Sequence, residues 1–131
     1  MIAKTFSATV LGIDAYLIEV EVDVSVGMSV FNIVGLPDST IKESRDRILS
    51  AVNNSGYSFP VRRVVVNLAP APLRKIGSGF DLPIALTLLG TMGLFPPENL
   101  SRAMVVGELS LDGEVRPVRG ILPVAVATLE H

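Results

Sequence analysis

The sequence contains no cysteine and a single histidine, which excludes several kinds of site. Without cysteine the chain forms no disulfide and offers no thiolate to a metal ion, as is common in a reducing compartment. The histidine, His131, is the last residue, and with Leu129 and Glu130 it resembles the start of a vector-encoded polyhistidine tag. We therefore assign 129–131 to a tag remnant and treat 1–128 as one domain of a longer protein.

The sequence also lacks a long apolar segment and a secretion signal. Its longest apolar region, 82–95, is too short to cross a membrane and is interrupted by Pro83, Gly90 and Gly93. At the amino terminus there is no succession of positive charge, apolar run and cleavage site. We therefore expect a cytoplasmic, soluble protein with no membrane partner.

The chain has no large excess of charge of either sign, since 11 basic and 13 acidic side chains leave a net charge of −2. The domain as a whole therefore has no attraction for the phosphates of nucleic acids. Hydrophobic residues make up 49% of the chain and charged residues only 18%. A chain of this size can build one core and still present apolar residues to a partner.

No sequence of the form Gly-x-x-x-x-Gly-Lys-Ser/Thr occurs, so the loop that holds ATP phosphates in many ATPases is absent. The loop at 77–79 lacks the lysine and the magnesium-binding hydroxyl at that spacing. The carboxylates of Glu19, Glu21 and Asp23 alternate along one stretch, which is typical of a solvated strand face rather than a metal site. We expect no cofactor and no metal in this chain.

The first third of the sequence alternates as β-strands do. Valine or isoleucine occupies every second position from 18 to 26, and acidic residues lie between them, which predicts a half-buried strand whose acidic face would repel DNA. Residues 2–11 and 28–34 predict two further strands, with a turn at 12–14. Because the three strands follow one another, we expect an antiparallel meander.

A helical period follows. Its apolar face consists of Ile41, Ile48, Leu49 and Val52. Thr40 and Glu43 have capping-box spacing at the start, and Ser55-Gly56 predicts the end of the helix. The opposite face is charged and carries Lys42, Glu43, Arg45, Asp46 and Arg47. We interpret this face as solvated, with local ion pairs, and the alternative is a surface for docking a partner.

The second half begins with a predicted strand at 62–68 and a loop rich in proline and glycine. Asp81 is predicted to cap the next helix, whose first turn tolerates Pro83. Its buried face consists of Ile84, Leu88 and Met92.

Two strands are predicted near the end, at 103–109 and 114–118, joined through Asp112-Gly113 as a hairpin. A final helix is predicted to begin at 119–123. Six strands and about three helices, with the strands clustered early, indicate the α+β class.

Six segments together carry a resemblance to a known family. They are Val34-Gly35-Leu36-Pro37-Asp38, Glu43-Ser44-Arg45, Asn54-Ser55-Gly56, Phe59-Pro60, Val66-Asn67-Leu68-Ala69-Pro70-Ala71 and Gly77-Ser78-Gly79-Phe80-Asp81-Leu82-Pro83-Ile84-Ala85-Leu86. In this order they resemble the amino-terminal domain of the ComM/YifB proteins, which are magnesium-chelatase-like AAA+ ATPases. The resemblance implies a downstream ATPase module that uses ATP and Mg²⁺, hexamers with neighbouring subunits, and branch migration of DNA in natural transformation (competence).

A second resemblance involves residues 107–118, which look like the carboxy-terminal region shared by Lon proteases and the RadA recombination protein. It implies a ribosomal-protein domain-2-like fold, as in the Lon protease domain, with a mixed sheet packed by two to three helices on one face. Lon domains hydrolyse peptides with a serine and a lysine that accepts its proton. Aligning the Lon loop Lys-Asp-Gly-Pro-Ser-Ala-Gly with 75–81 places the nucleophile at Gly79, and the lysine of Gly-Gly-Leu-Lys falls on Leu122. Both members of the dyad are therefore missing.

Two other roles for the central loop stay open. Ser78 and Lys75 could replace the dyad in an atypical Lon-like serine hydrolase, but a shift of one residue changes the direction of the side chain. Residues 77–79 are interpreted as a flexible turn and helix cap, and the alternative is a loop that contacts a neighbour or ligand through backbone N–H groups.

A group of candidate contacts to DNA or a partner consists of Arg62, Arg63, Arg74, Lys75, Ser78, Arg116 and Arg119. The fold could join the basic residues into a positive rim or leave them scattered. Tyr57 and Phe59 are the only aromatic residues nearby, so any DNA binding should be weak and electrostatic. We expect a non-catalytic accessory domain that helps an AAA+ motor to assemble or grip DNA, and the alternative is a stand-alone nucleic-acid-binding module.

Overall fold

A computed structural model describes residues 1–118 of the chain. In chain order its elements are β1 (Ile2–Leu11), β2 (Asp14–Ser25), β3 (Val30–Val34), α1 (Ser39–Asn54), β4 (Arg63–Ala69), α2 (Asp81–Thr91), a 3₁₀ helix (Pro97–Arg102), β5 (Glu108–Leu109) and β6 (Val115–Arg116). The predicted α+β class is confirmed. The predicted helix at 119–123 and the predicted site positions Arg119 and Leu122 lie outside the described residues. None of the described helices is long and apolar enough to cross a membrane.

The first four strands form one mixed sheet in the order β1-β2-β4-β3. β1 and β2 are antiparallel and turn at Gly12, where φ is 68°. β4 pairs antiparallel with β2 and parallel with β3. The predicted meander is therefore wrong for the third strand, since β4 lies between β2 and β3. The reason is α1, because a helical crossover lets the strand after it return parallel to the strand before it.

One face of the sheet builds the core against α1 and α2. Its fully buried apolar side chains are Ile18, Val20, Val22, Val64, Val66 and Leu68. Ile41 and Ile48 of α1 and Ile84 and Leu88 of α2 are also buried, as their periods predict. The alternating acidic residues of β2 lie on the opposite face and are partly exposed, so the predicted strand pattern is confirmed.

β1 differs from its neighbours because its core face is small and polar. Thr5 donates from Oγ1 to the carbonyl of Leu100 at 2.8 Å, and the Thr9 hydroxyl accepts from the N–H of Ile76 at 3.1 Å. Ser7 lies between them, and its buried hydroxyl has no hydrogen-bond partner among residues 1–118. β1 therefore holds the 3₁₀ helix and the central loop through side-chain hydrogen bonds to their backbones.

α1 begins two residues earlier than its predicted capping box. Asp38 is the N-cap residue, and its Oδ1 accepts from the N–H of Ile41 at 2.8 Å. The capping box of Thr40 and Glu43 is wrong, because both residues already lie inside the helix. The predicted end is confirmed, since Ser55 is the C-cap residue.

The predicted hairpin near the end is confirmed, although β5 and β6 contain only two residues each. The predicted strand 103–109 is divided between two partners. Its first part runs beside β1, where Phe6 donates to the carbonyl of Ala103 at 3.1 Å and accepts from Val105 at 2.8 Å. Its last two residues form β5, and between them the chain passes close to α2.

Candidate functional site

The central loop between β4 and α2 is attached to the turn that precedes α1. Lys75 donates its N–H to the carbonyl of Leu36 and accepts from the N–H of Asp38, both at 3.1 Å. Gly35, which precedes Leu36, lets this turn lie against β4, because a Cβ there would lie 2.1 Å from the carbonyl oxygen of Leu68 and its φ is 104°. The two loops therefore cross directly above the end of β4.

Asp38 fixes the glycine turn of the central loop in place. Its Oδ1 caps α1, while its Oδ2 accepts from the N–H of Gly77 at 3.2 Å. The preceding residue, Ile76, is held by Thr9 of β1. The turn at 77–79 is therefore bonded on one side to α1 and on the other to β1.

Lys75 lies in the interior, and its side chain has no exposed surface. Its ammonium group donates a hydrogen bond to the carbonyl of Pro70. Removal from water lowers the pKa of Lys75 below its ordinary value of 10.5, because burial penalises the charged form. Sequence reasoning placed Lys75 in an exposed basic group, whereas in this structure the amine cannot reach a phosphate outside the domain.

Asp81 is fully buried at the start of α2 and forms an ion pair with Arg47 of α1. Arg47 donates from Nε to Oδ2 at 2.7 Å and from Nη2 to Oδ1 at 3.1 Å, and Leu109 donates its N–H to Oδ2 at 3.0 Å. The hydrogen bonds that Arg47 donates to the Asp81 carboxylate raise the pKa of Arg47 above its ordinary value. The same Nη2 also donates to the carbonyl of Thr40 and the hydroxyl of Ser44.

Two predictions are corrected by this pair. Asp81 does not cap α2, because the N-cap residue is Phe80 and no side chain caps that end. Arg47 does not lie on a solvated face, since its side chain is only 19% exposed. The helix period alone places Arg47 on the charged side of α1. In the structure α2 packs against α1, and the Arg47 side chain is largely buried.

A cleft of about 680 Å³ opens beside the central loop. Its walls are the end of β1, the turn at 76–80, residues 106 and 108, and residues 117–118. Gly107 holds two of these walls together, because it donates to the carbonyl of Gly79 and accepts from Leu82, both at 2.9 Å. The cleft is therefore formed by segments that are bonded to one another.

The cleft contains Gly79, where the Lon resemblance places the nucleophile. A Cβ at Gly79 would meet Val118 at 3.6 Å, an ordinary contact, so the position has room for a small side chain. Ser78 also lines the cleft, but Lys75 does not, and its amine is directed to Pro70. The substitute pair of Ser78 and Lys75 is therefore not assembled as a nucleophile and its base.

Among the residues that line the cleft and that the structure describes, the charged ones are both acidic. Asp38 stands at the start of α1, and Glu108 is the first residue of β5. Elsewhere in residues 1–118 no group of three or more acidic or histidine side chains is placed to hold a metal ion.

The predicted basic group is spread over the domain. Arg62 and Arg63 are exposed at the start of β4, whereas Arg74 is exposed in the loop beyond its end. A strand of seven residues separates them by about 20 Å. Arg116 is exposed on β6, opposite Glu108. The described residues therefore bring no continuous positive rim together.

Comparison with known proteins places this fold in a family. Residues 20–131 match the family model described as subunit ChlI of Mg-chelatase. The chain belongs to this magnesium-chelatase ChlI family. The resemblance to the ComM/YifB members is confirmed by relatives with those names. The six segments that carry the resemblance all lie within the residues that match the family model.

The relatives of this ChlI-family chain are close over nearly all of its length. It is 42% identical over 128 residues to the uncharacterized protein YifB of Salmonella typhimurium and 40% identical over 126 residues to the competence protein ComM of Haemophilus influenzae. An uncharacterized protein of Mycobacterium tuberculosis is 44% identical over 126 residues. These alignments cover 98%, 96% and 96% of the chain, respectively, and 25% of each relative. The chain thus spans about a quarter of the length of these curated relatives.

Proposed function

We propose that this chain is a non-catalytic accessory domain of a longer magnesium-chelatase-like AAA+ ATPase. The match to the ChlI family and the quarter of each relative that the chain spans support this proposal. In the longer protein, a separate module would bind ATP and Mg²⁺. The domain described here would help that module to assemble with neighbouring subunits, as a hexamer, or to hold DNA.

The position of Lys75 carries the non-catalytic part of the proposal. A serine nucleophile needs a base within hydrogen-bond reach, and the lysine nearest to Ser78 in the loop is buried against Pro70. Gly79 has no side chain to act as a nucleophile. Loss of such groups lowers the rate of a serine hydrolase by about 10⁴- to 10⁶-fold. The cleft walls also offer no basic side chain to a phosphate among the described residues.

The DNA-processing part rests on the relative named competence protein ComM. In the accessory domain, the exposed arginines Arg62, Arg63, Arg74 and Arg116 stay the candidates for phosphate contact among the described residues, whereas the buried Lys75 does not. With a net charge of −2, the domain would add to DNA binding by the longer protein rather than supply it. A cytoplasmic location fits this role.

The proposal is tested on the chain by itself. We expect no hydrolysis of peptide esters and no stoichiometric heat of binding when Mg-ATP is titrated into it. Turnover that disappears in a Ser78→Ala variant would overturn the non-catalytic assignment. A saturable micromolar isotherm with Mg-ATP would place nucleotide binding in this domain and contradict the assignment of ATP to a separate module.

A further inference from the structure

Among residues 1–118, the backbone pairs with only part of the outer edge of β1. Phe6 directs both its N–H and its C=O away from β2, to the carbonyl of Ala103 and the N–H of Val105. In an antiparallel strand these groups of alternate residues point to the same side. Ala8 and Val10 therefore direct their backbone groups outward, in the same direction as Phe6.

Past Val105 the chain turns away from β1 toward α2, where Gly107 bonds Gly79 and Leu82. Within residues 1–118, no backbone group pairs with the outer edge at Ala8 or Val10. Both residues line the cleft. The cleft therefore contains a short strand edge that presents two N–H and two C=O groups, spaced as they are in a sheet.

We propose that the cleft binds an extended polypeptide segment, which adds to the sheet as a strand beside Ala8 and Val10 and places a lysine or arginine near Asp38 and Glu108. An added strand gains main-chain hydrogen bonds from the edge and specificity from the pockets around it. The inference rests on the proposed function, because it names the kind of partner that a non-catalytic cleft would hold.

The lining of the cleft agrees with a peptide better than with a nucleic acid. Ile76 and Val106, which are both at least partly exposed, offer apolar contact to side chains of a strand. The charged lining residues, Asp38 and Glu108, would repel phosphates and attract a basic side chain. A cavity of about 680 Å³ also falls in the range of sites that enclose a small ligand or short segment.

A second copy of this chain fits the edge less well than a single peptide. The segment at 103–105 covers Phe6, and the turn at Gly12 ends the strand, so the open edge is only a few residues long. Walls stand on both sides of it. A stable dimer buries on the order of 1,000 Å² or more, which this recessed edge cannot supply by strand pairing alone.

The experiment uses the full 131-residue chain and a short fluorescent peptide of alternating valine and lysine, with a valine and glutamate peptide of equal length as the control. Fluorescence anisotropy should show saturable binding of the basic peptide, at least about tenfold tighter than the acidic one. In ¹⁵N-labelled chain, the amide signals of Ala8, Val10 and residues 77–79 should shift on binding. Failure of the basic peptide to saturate, equal affinity for the two peptides, or shifts confined to residues outside the cleft would overturn the inference.

A matched pair of proline variants tests the strand edge itself. Ala8→Pro removes an N–H that points into the cleft and leaves the bonds between β1 and β2 intact, because the outward side of an edge strand tolerates proline. It should weaken binding about fivefold to tenfold, as expected for one hydrogen bond. Lys4→Pro is the control, because the backbone N–H of Lys4 also points away from β2 but Lys4 does not line the cleft. Binding to this variant should stay unchanged. Equal effects of the two variants would contradict the proposal.

Two further outcomes are decisive. If the chain self-associates and Ala8→Pro makes it monomeric, the edge belongs to a second copy and the peptide proposal is wrong. If circular dichroism shows that Ala8→Pro is unfolded, the amide shifts of the unmodified chain decide whether the peptide binds beside Ala8 and Val10.

Glu108→Gln tests the charge preference. It should reduce the preference for the basic peptide without unfolding the chain. None of these results depends on ATP hydrolysis by the longer protein, so failure here leaves the proposed function to its own test.

Discussion

Arg47 and Asp81 form a two-point ion pair that joins the middle of α1 to the first residue of α2. The carboxylate is fully buried and also accepts the N–H of Leu109 in β5. Three elements thus meet at one carboxylate, and all three lie beside the cleft or its walls. The pair fixes the position of the turn at 77–80 relative to β5.

Replacing Asp81 by asparagine should lower the free energy of unfolding by about 3–5 kcal/mol, because the largely buried guanidinium of Arg47 would lose the negative charge that it pairs with. Urea unfolding measures the loss. The matched control is Glu43→Gln, since Glu43 lies 3.7 Å from the same guanidinium but is 70% exposed. That change should cost less than about 1 kcal/mol. Equal losses in the two variants would show that the buried pair has no special role.

The ion pair also marks the limit of what the sequence could predict. The strand alternation of β2 and the hairpin of β5 and β6 are local patterns, and the structure confirms them. The apolar face predicted for α1 is confirmed at Ile41, Ile48 and Val52 but is wrong at Leu49, which is 41% exposed. Arg47 and Asp81 are 34 residues apart, and no local period links them. An acidic residue at the start of a helix is typical of a cap, so the sequence favoured the wrong role.

The order of the strands and the burial of Lys75 also depend on contacts between residues that are far apart in the sequence. The sequence gives β3 no sign of its partner, because pairing with β4 depends on how α1 packs on the sheet. Lys75 follows Arg74 in a loop, where a lysine is usually solvated. Its backbone pairs with Leu36, which is far away in the sequence, and its side chain is buried. The hydrogen bond between Asp38 and Gly77 likewise joins residues far apart in the sequence, and no local pattern predicts it.

Gly35→Ala should destabilise the domain by more than about 3 kcal/mol, because the added Cβ overlaps a backbone oxygen that no rotamer change can move. A Cβ at residue 35 would lie 2.1 Å from the carbonyl oxygen of Leu68, and φ at this residue is 104°. Gly12→Ala is the control, since Gly12 also has a positive φ of 68°, but no atom of residues 1–118 beyond its chain neighbours lies within 4 Å of its Cβ position. It should cost about 1–2 kcal/mol. Thermal unfolding of both variants checks this, and similar losses would mean that the crossing of the loops is not tight.

Lys75 should make stability depend on pH in a defined direction. Its pKa in the folded chain lies below 10.5, so between that lower value and 10.5 the unfolded chain binds more protons. The free energy of unfolding therefore rises with pH in this window. Compared with Lys75→Met, the native chain should gain stability from neutral pH up to 10.5, as measured by urea unfolding. A difference that stays constant or shrinks with pH would mean that the amine is not held in an apolar environment.

Any binding of DNA by this domain should be weak and should fall steeply with salt, because exposed arginines without aromatic partners bind phosphates alone. Arg74→Glu should weaken binding to all sequences alike and reduce the slope of log affinity against log salt by about one. Lys42→Glu, on the exposed side of α1, should have a smaller effect. Anisotropy titrations at several salt concentrations test this, and sequence-selective binding that is insensitive to salt would disprove it.

The most direct test of the account is the rate of ATP hydrolysis by the longer protein, with and without DNA, in its native form and with Gly35→Ala or Gly12→Ala in this domain. An accessory role predicts that both variants bind and hydrolyse ATP without DNA as the native protein does. Gly35→Ala should lose the stimulation by DNA, or the assembly on which it depends, and Gly12→Ala should retain both. If Gly35→Ala abolishes nucleotide binding, or if it leaves assembly and DNA stimulation at native levels, the accessory role is contradicted.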